Sequence, residues 1–436
     1  MIAAWVLGSA QAGEVTIGSY GRVQASVDAT GGQGEPASVV TYDTRLQEAP
    51  YVELDLAFAQ DTPDGPSFRV VVTPAVAGEL FHATGSWSAS LALRNLYAEV
   101  VATEQWSAWA GSRMYRGDDV YLLDFWPLDD LNTVGGGAAF RPDERWTLQA
   151  QVGASRLASG DYELQTQALP VAGGVGVEQV SFLDRERIVS SLKAGRTFGD
   201  DVVTRVSGYA ELQVLPAGER LHDDQFVQEL PSDAGSVLGA QVSLWGWADD
   251  SFVHLWLKRA TGLAAYGDLS VPDGLAVDYR AQKAQEHLIA LSANHELGPA
   301  SVQAGAYVRR FTDADSNDID VDDRWEANVA VRPTWYPAKV VSLGVELSQQ
   351  WLRPDGLNPR TQAHDVPLIT KFAVLPAIQP RPGSYARPQV RLQYVYSYLN
   401  NDARSWFAVD DPRHDSNHEQ FVGIGAEWWL DSESHR

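Results

Sequence analysis

The chain has 436 residues, no cysteine and a formal net charge of −24, which removes disulfides, thiolate catalysis and cysteine-based zinc sites and makes nucleic acid a poor partner. No apolar stretch approaches the ~18 residues that a transmembrane helix needs, so any passage through a bilayer must be made by strands. The many aromatic residues, fifteen of them Trp, suit membrane interfaces and sugar-stacking surfaces.

Residues 1–12 form a short apolar run ending in Ala10-Gln11-Ala12, the small-x-small pattern of a secretory cleavage site. They read as a partial signal peptide, with the mature chain from residue 13 onward. Strict alternation follows. From Tyr51 to Phe58, Val52, Leu54, Leu56 and Phe58 share one face and Tyr51, Glu53, Asp55 and Ala57 the other, which makes a strand with one oily and one wet side. The pattern recurs over 302–306, and in Trp325, Ala327, Val329 and Val331 against Glu326, Asn328 and Arg332. It returns over 341–347 and in Leu392, Tyr394 and Tyr396 against Arg391, Gln393 and Ser397.

In a soluble sandwich the apolar faces would pack together; in a barrel they meet lipid while the polar faces line a lumen. Two features favour the barrel. Aromatics stand at or near strand ends (Trp106, Trp109, Trp146, Trp335, Tyr336, Trp351, Trp428), as an interfacial girdle requires, and alternation runs from Glu14 to Leu430 with no linker. Removing the first 12 of 436 residues leaves 424, enough for about 18 strands at roughly 23 residues per strand and connection, with both ends on the periplasmic side. The expectation is an all-β, transmembrane antiparallel barrel over 13–430, followed by a tail over 431–436.

Long loops are expected over 28–44, 117–137, 160–187, 216–236, 264–286 and 353–388. The stretch Asp313-Ala-Asp315-Ser-Asn317-Asp318-Ile-Asp320 resembles a calcium loop but lacks the sixth-position glycine, and Arg324 stands where a bidentate Glu belongs. It reads as a solvated acidic loop.

The segment from Trp109 to Trp126, Trp-Ala-Gly-Ser-Arg-Met-Tyr-Arg-Gly-Asp-Asp-Val-Tyr-Leu-Leu-Asp-Phe-Trp, resembles the inward-folding third loop of maltoporin, the LamB-type sugar porin. Three further motifs match in order: Tyr20-Gly-Arg22, Arg387-Pro-Gln-Val-Arg391, and the closing Gly423-Ile-Gly-Ala-Glu-Trp-Trp429. The resemblance implies a homotrimer of barrels in the Gram-negative outer membrane, among its lipid and lipopolysaccharide, each pore constricted by an inward-folded third loop. It implies passive, facilitated diffusion of maltose- or maltodextrin-like oligosaccharides, with no cofactor.

Residue by residue, the resemblance implies an aromatic lane of Tyr20, Tyr51, Trp87, Phe252 and Trp429. Trp256 is an alternative to Phe252 on the same face, and one more rung falls near Leu375 or Phe372. Alternation independently turns Trp429 inward, opposite Trp428 and Leu430. The implied polar track is Arg22, Arg45, Glu53, Arg94, Asp119 and Asp124. In the third loop the family's inward arginine aligns with Gly117, with Arg116 one place away, and its histidine and tyrosine correspond to Tyr121 and Trp126. These departures leave a general diffusion porin, or a porin for another oligosaccharide, as the alternative.

An enzyme would need a carboxylate pair such as two of Asp118, Asp119 and Asp124. Acidic residues are too abundant here for that to be informative, and no Ser/His/Asp arrangement or H-E-x-x-H motif accompanies them.

Overall fold

Side chains that alternate with period two cannot be segregated by a helix, and the chain accordingly forms strands almost throughout. The computed structural model describes residues 13–29, 36–46, 48–63, 65–79, 88–155, 167–170, 177–180, 185–221, 227–267, 280–314 and 323–431. The N-terminal apolar run, Trp87, 315–320 of the acidic stretch and 432–436 of the tail lie outside them.

The first strands are β1 (Glu14–Asp28), β2 (Tyr51–Gln60), β3 (Ser67–Glu79), β4 (Ser88–Val101), β5 (Trp106–Arg116), β6 (Asp130–Phe140) and β7 (Trp146–Ser155). A small hairpin, β8 (Gln167–Pro170) and β9 (Val177–Val180), precedes β10 (Arg187–Phe198) and β11 (Val203–Leu215). A second hairpin, β12 (Gly218–Leu221) and β13 (Val227–Leu230), precedes β14 (Asp233–Trp245), β15 (Phe252–Gly262), β16 (Gln285–Glu296), β17 (Ala300–Thr312) and β18 (Arg324–Ala338). The chain continues through β19 (Val341–Pro354), β20 (Leu368–Ile378), β21 (Gln389–Leu399), the short helices α1 (Asn401–Ser405) and α2 (Pro412–Asp415), and β22 (His418–Leu430).

With the two hairpins set aside, each strand pairs antiparallel with the next, β7 meeting β10 and β11 meeting β14, and β22 returns to β1. Eighteen strands thus close into a barrel, as expected. Closure is staggered: residues 14–22 of β1 lie against β2, and residues 19–28 against β22. Such a shear is the geometric condition for tilted strands to meet.

Connections alternate in length. Short turns such as 199–202, 297–299 and 339–340 gather at the end that holds both chain termini, and long connections such as 29–50, 117–129 and 263–284 at the other. The third long connection is shorter than anticipated because Asp130 to Gly137 belong to β6. The 353–388 stretch is interrupted by β20, whose partly polar sequence Leu-Ile-Thr-Lys masks its alternation.

Outward positions are apolar, as Val15, Ile17, Leu91, Val134, Leu238 and Ile424 show by their exposure. Trp106 and Phe140 stack 4.3 Å apart at the short-turn end. Two aromatics expected in the girdle instead turn into the lumen. Trp109 donates to the Tyr115 hydroxyl at 3.0 Å, and Tyr336 shares a 2.7 Å hydrogen bond with Ser301. Both have lumenal polar partners, which outward aromatics in hydrocarbon would lack.

Inward positions divide into two territories. On β11 and β14 to β18 they include Tyr209, Val237, Trp256, Leu288, Ala290, Tyr307, Phe311 and Ala330, which form one apolar cluster with Val120, Leu122, Leu123, Phe125 and Leu128 of the third connection and with Leu263 to Ala265. Two glycines admit this packing. A Cβ on Gly239 would stand 2.3 Å from a Leu128 methyl, and one on Gly305 3.1 Å from Val120. The first long connection also crosses the lumen. Ala37 N–H donates to Glu419 at 2.8 Å, Val39 N–H to Gln350 at 3.0 Å, Asp43 pairs with Lys371 at 2.5 Å, and Tyr42 stacks on Phe125 at 4.1 Å. The lumen is therefore filled on the side of β14 to β20, and the open side faces β1 to β4 and the end of β22.

Leu238 lies mid-strand on the outward face and is 62% exposed. Leu238→Arg is expected to lower unfolding stability in lipid vesicles by about 2–4 kcal/mol, the cost of a cation at mid-bilayer on a barrel wall. A loss below about 0.5 kcal/mol in urea titration would place this face outside hydrocarbon.

Candidate functional site

A cavity of about 790 Å³ occupies the open side of the lumen, within the ~300–1,000 Å³ usual for ligand sites. The wall supplies Tyr20 and Arg22 from β1, Tyr51 and Glu53 from β2, Arg94 from β4 and Trp429 from β22. The connections supply Arg45, Arg116, Asp119, Tyr121, Asp124 and Trp126, with Arg116 the last residue of β5. Twelve of the fourteen residues singled out in the sequence thus surround one space. Alternation explains the wall members: Tyr20 and Arg22 are two apart on one strand, as are Tyr51 and Glu53, so each pair shares the lumenal face.

Register then brings the pairs together. Tyr20 lies opposite Trp429 and Arg22 opposite Glu427 across the β1–β22 seam, while Tyr20 opposes Glu53 and Arg22 opposes Tyr51 across β1–β2. The Tyr20 and Tyr51 rings are 5.9 Å apart. The Tyr51 hydroxyl donates to the Glu53 carboxylate.

Charges around the rings are held in place. Arg45 meets Glu48 at 2.7 Å and Glu427 at 3.0 Å, and its guanidinium lies 4.6 Å from the Tyr121 ring centroid. Arg22 meets the same Glu48 at 2.6 Å and Asp124 at 3.2 Å. Arg116 stacks 3.7 Å over Trp126 and pairs with Asp130 at 3.1 Å. Burial opposes the charge on Arg45, but Glu48, Glu427 and Asp124 outweigh it and hold its pKa well above the arginine norm. Burial likewise works against Asp124, and Arg45 and Arg22 reverse the sign, so its carboxyl titrates below the ordinary range. Asp119 differs. Burial, opposed by Arg45 and reinforced by the neighbouring Asp124 and Asp118, pushes its pKa up to about 6.

The structure adds residues that sequence reading missed. Tyr385, from the turn between β20 and β21, stacks on Trp429 with centroids 5.9 Å apart and planes at 28°, and meets Tyr121 edge-on at 5.1 Å. Arg387, which opens the motif Arg387-Pro-Gln-Val-Arg391, stands in the same turn ahead of β21 and behind the cavity lining: it lies 4.7 Å over Trp429, pairs with Glu427 at 2.7 Å and donates to the Tyr121 hydroxyl. Asp118 and Asp431 also line the cavity. Tyr385 carries no local signal, since it sits in a turn without alternation.

Phe252 is not in the cavity wall; it stacks on His254 at 4.6 Å and approaches Tyr385 at 5.9 Å, behind the lining. Its alternative, Trp256, is wholly buried beneath the third connection. Leu375 is buried against Leu46 and Phe421, and Phe372 faces outward, so neither provides a ring. Trp87 lies outside the described residues.

Arg45 anchors the arrangement, and Arg45→Met is expected to destabilise the barrel by about 1.5–3 kcal/mol, because Glu48 and Glu427 each lose one of their two cations and keep Arg22 and Arg387. Arg94→Met, which gives up a 4.0 Å approach to Glu53, a 3.0 Å hydrogen bond to Met114 Sδ and a 5.5 Å cation–π contact with Tyr51, should cost less than Arg45→Met, because the Glu53 carboxylate keeps its hydrogen bond from Tyr51. Equal losses in urea titrations of the two variants would remove Arg45 from its central place.

Solved outer-membrane proteins are similar in outline. OccAB1 of Acinetobacter baumannii is 10% identical, covers 97% of this chain and 98% of its own, and superposes with a TM-score of 0.49. OccD3 (OpdP) of Pseudomonas aeruginosa is 10% identical, with 97% and 92% covered and a TM-score of 0.48. The trimer form of OmpT from Vibrio cholerae is 14% identical, with 96% and 100% covered and a TM-score of 0.39. No curated protein matches the chain. The LamB porin family model matches residues 15–429, the whole barrel from β1 to the cavity-lining Trp429, and the chain therefore belongs to the LamB porin family.

Proposed function

We propose that this outer-membrane porin passes oligosaccharides passively through the cavity at its seam, as a homotrimer in which the third connection narrows each lumen. The observation that carries the reading is the alternation of rings and fixed charges around one space: Tyr51, Tyr20, Trp429, Tyr385, Tyr121 and Trp126 interleaved with Arg22, Arg45, Arg94, Arg116, Glu53, Asp119 and Asp124.

A pyranose offers an apolar C–H face for stacking and a rim of hydroxyls that donate and accept. Arg22, Arg45 and Arg116 already pair with Glu48, Asp124, Glu427 and Asp130, so exchange with a hydroxyl costs little and gains little there. Many such weak, equivalent contacts allow both entry and exit. Maltodextrin preference is not part of this reading, because Gly117, Tyr121 and Trp126 replace the family's arginine, histidine and tyrosine.

Sugar block of ion current through trimers in planar bilayers tests the lane. Trp429→Ala and Tyr385→Ala are each expected to weaken block by roughly 0.5–1.5 kcal/mol, the usual worth of one ring contact, while conductance to small ions stays near wild type. Unaltered block in both variants, with the heat-modifiable trimer band intact, would leave general diffusion as the better description. A wild-type protein that migrates only as a monomer would overturn the trimer.

Asp119 supplies a second test. As pH falls through about 6 its carboxylate takes up a proton, so the preference for cations expected from the acidic lining should decline between pH 7 and 5. Asp119→Asn should lack that component. Reversal potentials with the same pH dependence in both proteins would remove Asp119 from the conduction path.

A further inference from the structure

Outside the barrel, the register aligns a basic row at the long-loop end. Arg259 of β15 lies opposite His287 of β16, His287 opposite Arg310 of β17, Arg310 opposite Trp325 of β18, and Trp325 opposite Arg353 of β19. The same period that buries Lys258, Glu286, Arg309, Glu326 and Leu352 in the lumen points these five outward. Arg259, His287 and Arg353 are exposed, and Trp325 is 43% exposed. Five adjacent strands span roughly 19 Å at ~4.8 Å spacing. Arg310 pairs with Asp355 at 2.5 Å, so one carboxylate sits in the row. Arg259, His287 and Arg353 have no side-chain partner among the described residues.

This row runs against the character of the chain, whose net charge is −24. It is also local. On β20 to β22 the outward positions nearest the same rim are Leu368, Tyr398 and His418, with no arginine or lysine among them.

Directly below the row, toward mid-membrane, lies an apolar groove of about 550 Å³ on the outer wall. Its sides are Leu255, Ile289, Val308, Val329 and Trp351, and its floor is low because Ala306 and Ala327 leave space. Height fits as well. From Arg310 down to Ala300 the strand descends about 26 Å at ~3.4 Å per residue and ~40° of tilt, close to the ~25 Å apolar band of such barrels. The cations therefore stand where hydrocarbon gives way to headgroups.

Resting on the reading of this chain as an outer-membrane porin with its long loops outward, we propose that β15 to β19 form a binding site for a phosphorylated, multiply acylated lipid of the outer leaflet. Its phosphates lie on Arg259, His287 and Arg353, and one acyl chain lies in the groove over Ala306 and Ala327. Guanidinium forks match phosphate oxygens bidentately. Trp325 sits among them at the level where an amphipathic ring belongs.

Native mass spectrometry of the detergent-solubilised full chain tests this, with a bis-phosphorylated, acylated glucosamine disaccharide as probe and phosphatidylethanolamine and inorganic phosphate as controls. Wild-type protein is expected to retain the disaccharide lipid and neither control. Arg259→Gln with Arg353→Gln should weaken retention by roughly fivefold per arginine removed. Ala306→Phe with Ala327→Phe should weaken it by closing the groove. Retention unchanged in both double variants overturns the site. Displacement of the lipid by inorganic phosphate reduces it to anion binding and overturns the acyl-chain half, and cross-linking of this face to a second copy makes it an interface between subunits. Conductance of the wild-type and double-variant channels, expected to be equal, separates this from the porin reading: a wild type without conductance would sink that reading alone.

Discussion

A sheet edge inside hydrocarbon exposes backbone N–H and C=O groups that nothing can satisfy, each at a cost of several kcal/mol. The pairing of β1 with β22, ten residue pairs from Ser19↔Leu430 to Asp28↔Phe421, removes that edge, and the rest of the molecule depends on it. Because β1 divides its length between two neighbours, the closure seam sets Tyr20 beside Trp429 and Arg22 beside both Tyr51 and Glu427. The contact that makes the barrel possible also assembles the cavity. Stability and site share one set of backbone bonds.

The lumen obeys a different rule from the wall. A barrel of eighteen strands is wide enough to leave an aqueous channel, and here one side of that width is closed by an apolar cluster. Leu122, Leu123 and Phe125 bury themselves against Trp256, Tyr307 and Phe311, and the first long connection binds across the same side through Asp43, Thr41 and Ala37. Hydrophobic burial thereby fixes which side stays open. The polar side is stiffened by ion pairs that converge on Arg45, a residue whose planar fork reaches Glu48 and Glu427 at once in a way that a lysine ammonium could not.

On the outside, the same two-residue period that lines the lumen composes the lipid face. Its apolar band is interrupted at one rim by Arg259, His287, Arg310 and Arg353. Inward and outward chemistry are thus written into alternate letters of the same strands, and β17 shows both: Arg309 pairs inside with Glu286 and Glu326, and Arg310 faces out.

Strand existence, the strand number and the direction of Trp429 were legible in the sequence, because alternation is a local property and a bilayer permits only a closed sheet. So were most wall residues of the cavity, since two residues apart on a strand means one face. Trp109 and Tyr336 were misread because alternation says which residues share a face but not which face is which when both sides carry aromatics. Tyr385 was invisible for a different reason: it reaches the cavity from a turn, where no periodicity constrains direction. Tertiary structure alone decided that Trp256 would be covered, that Phe252 would stand behind the lining, and that Arg45, 382 positions from Glu427, would meet it, for these depend on where the connections fold after the sheet has closed.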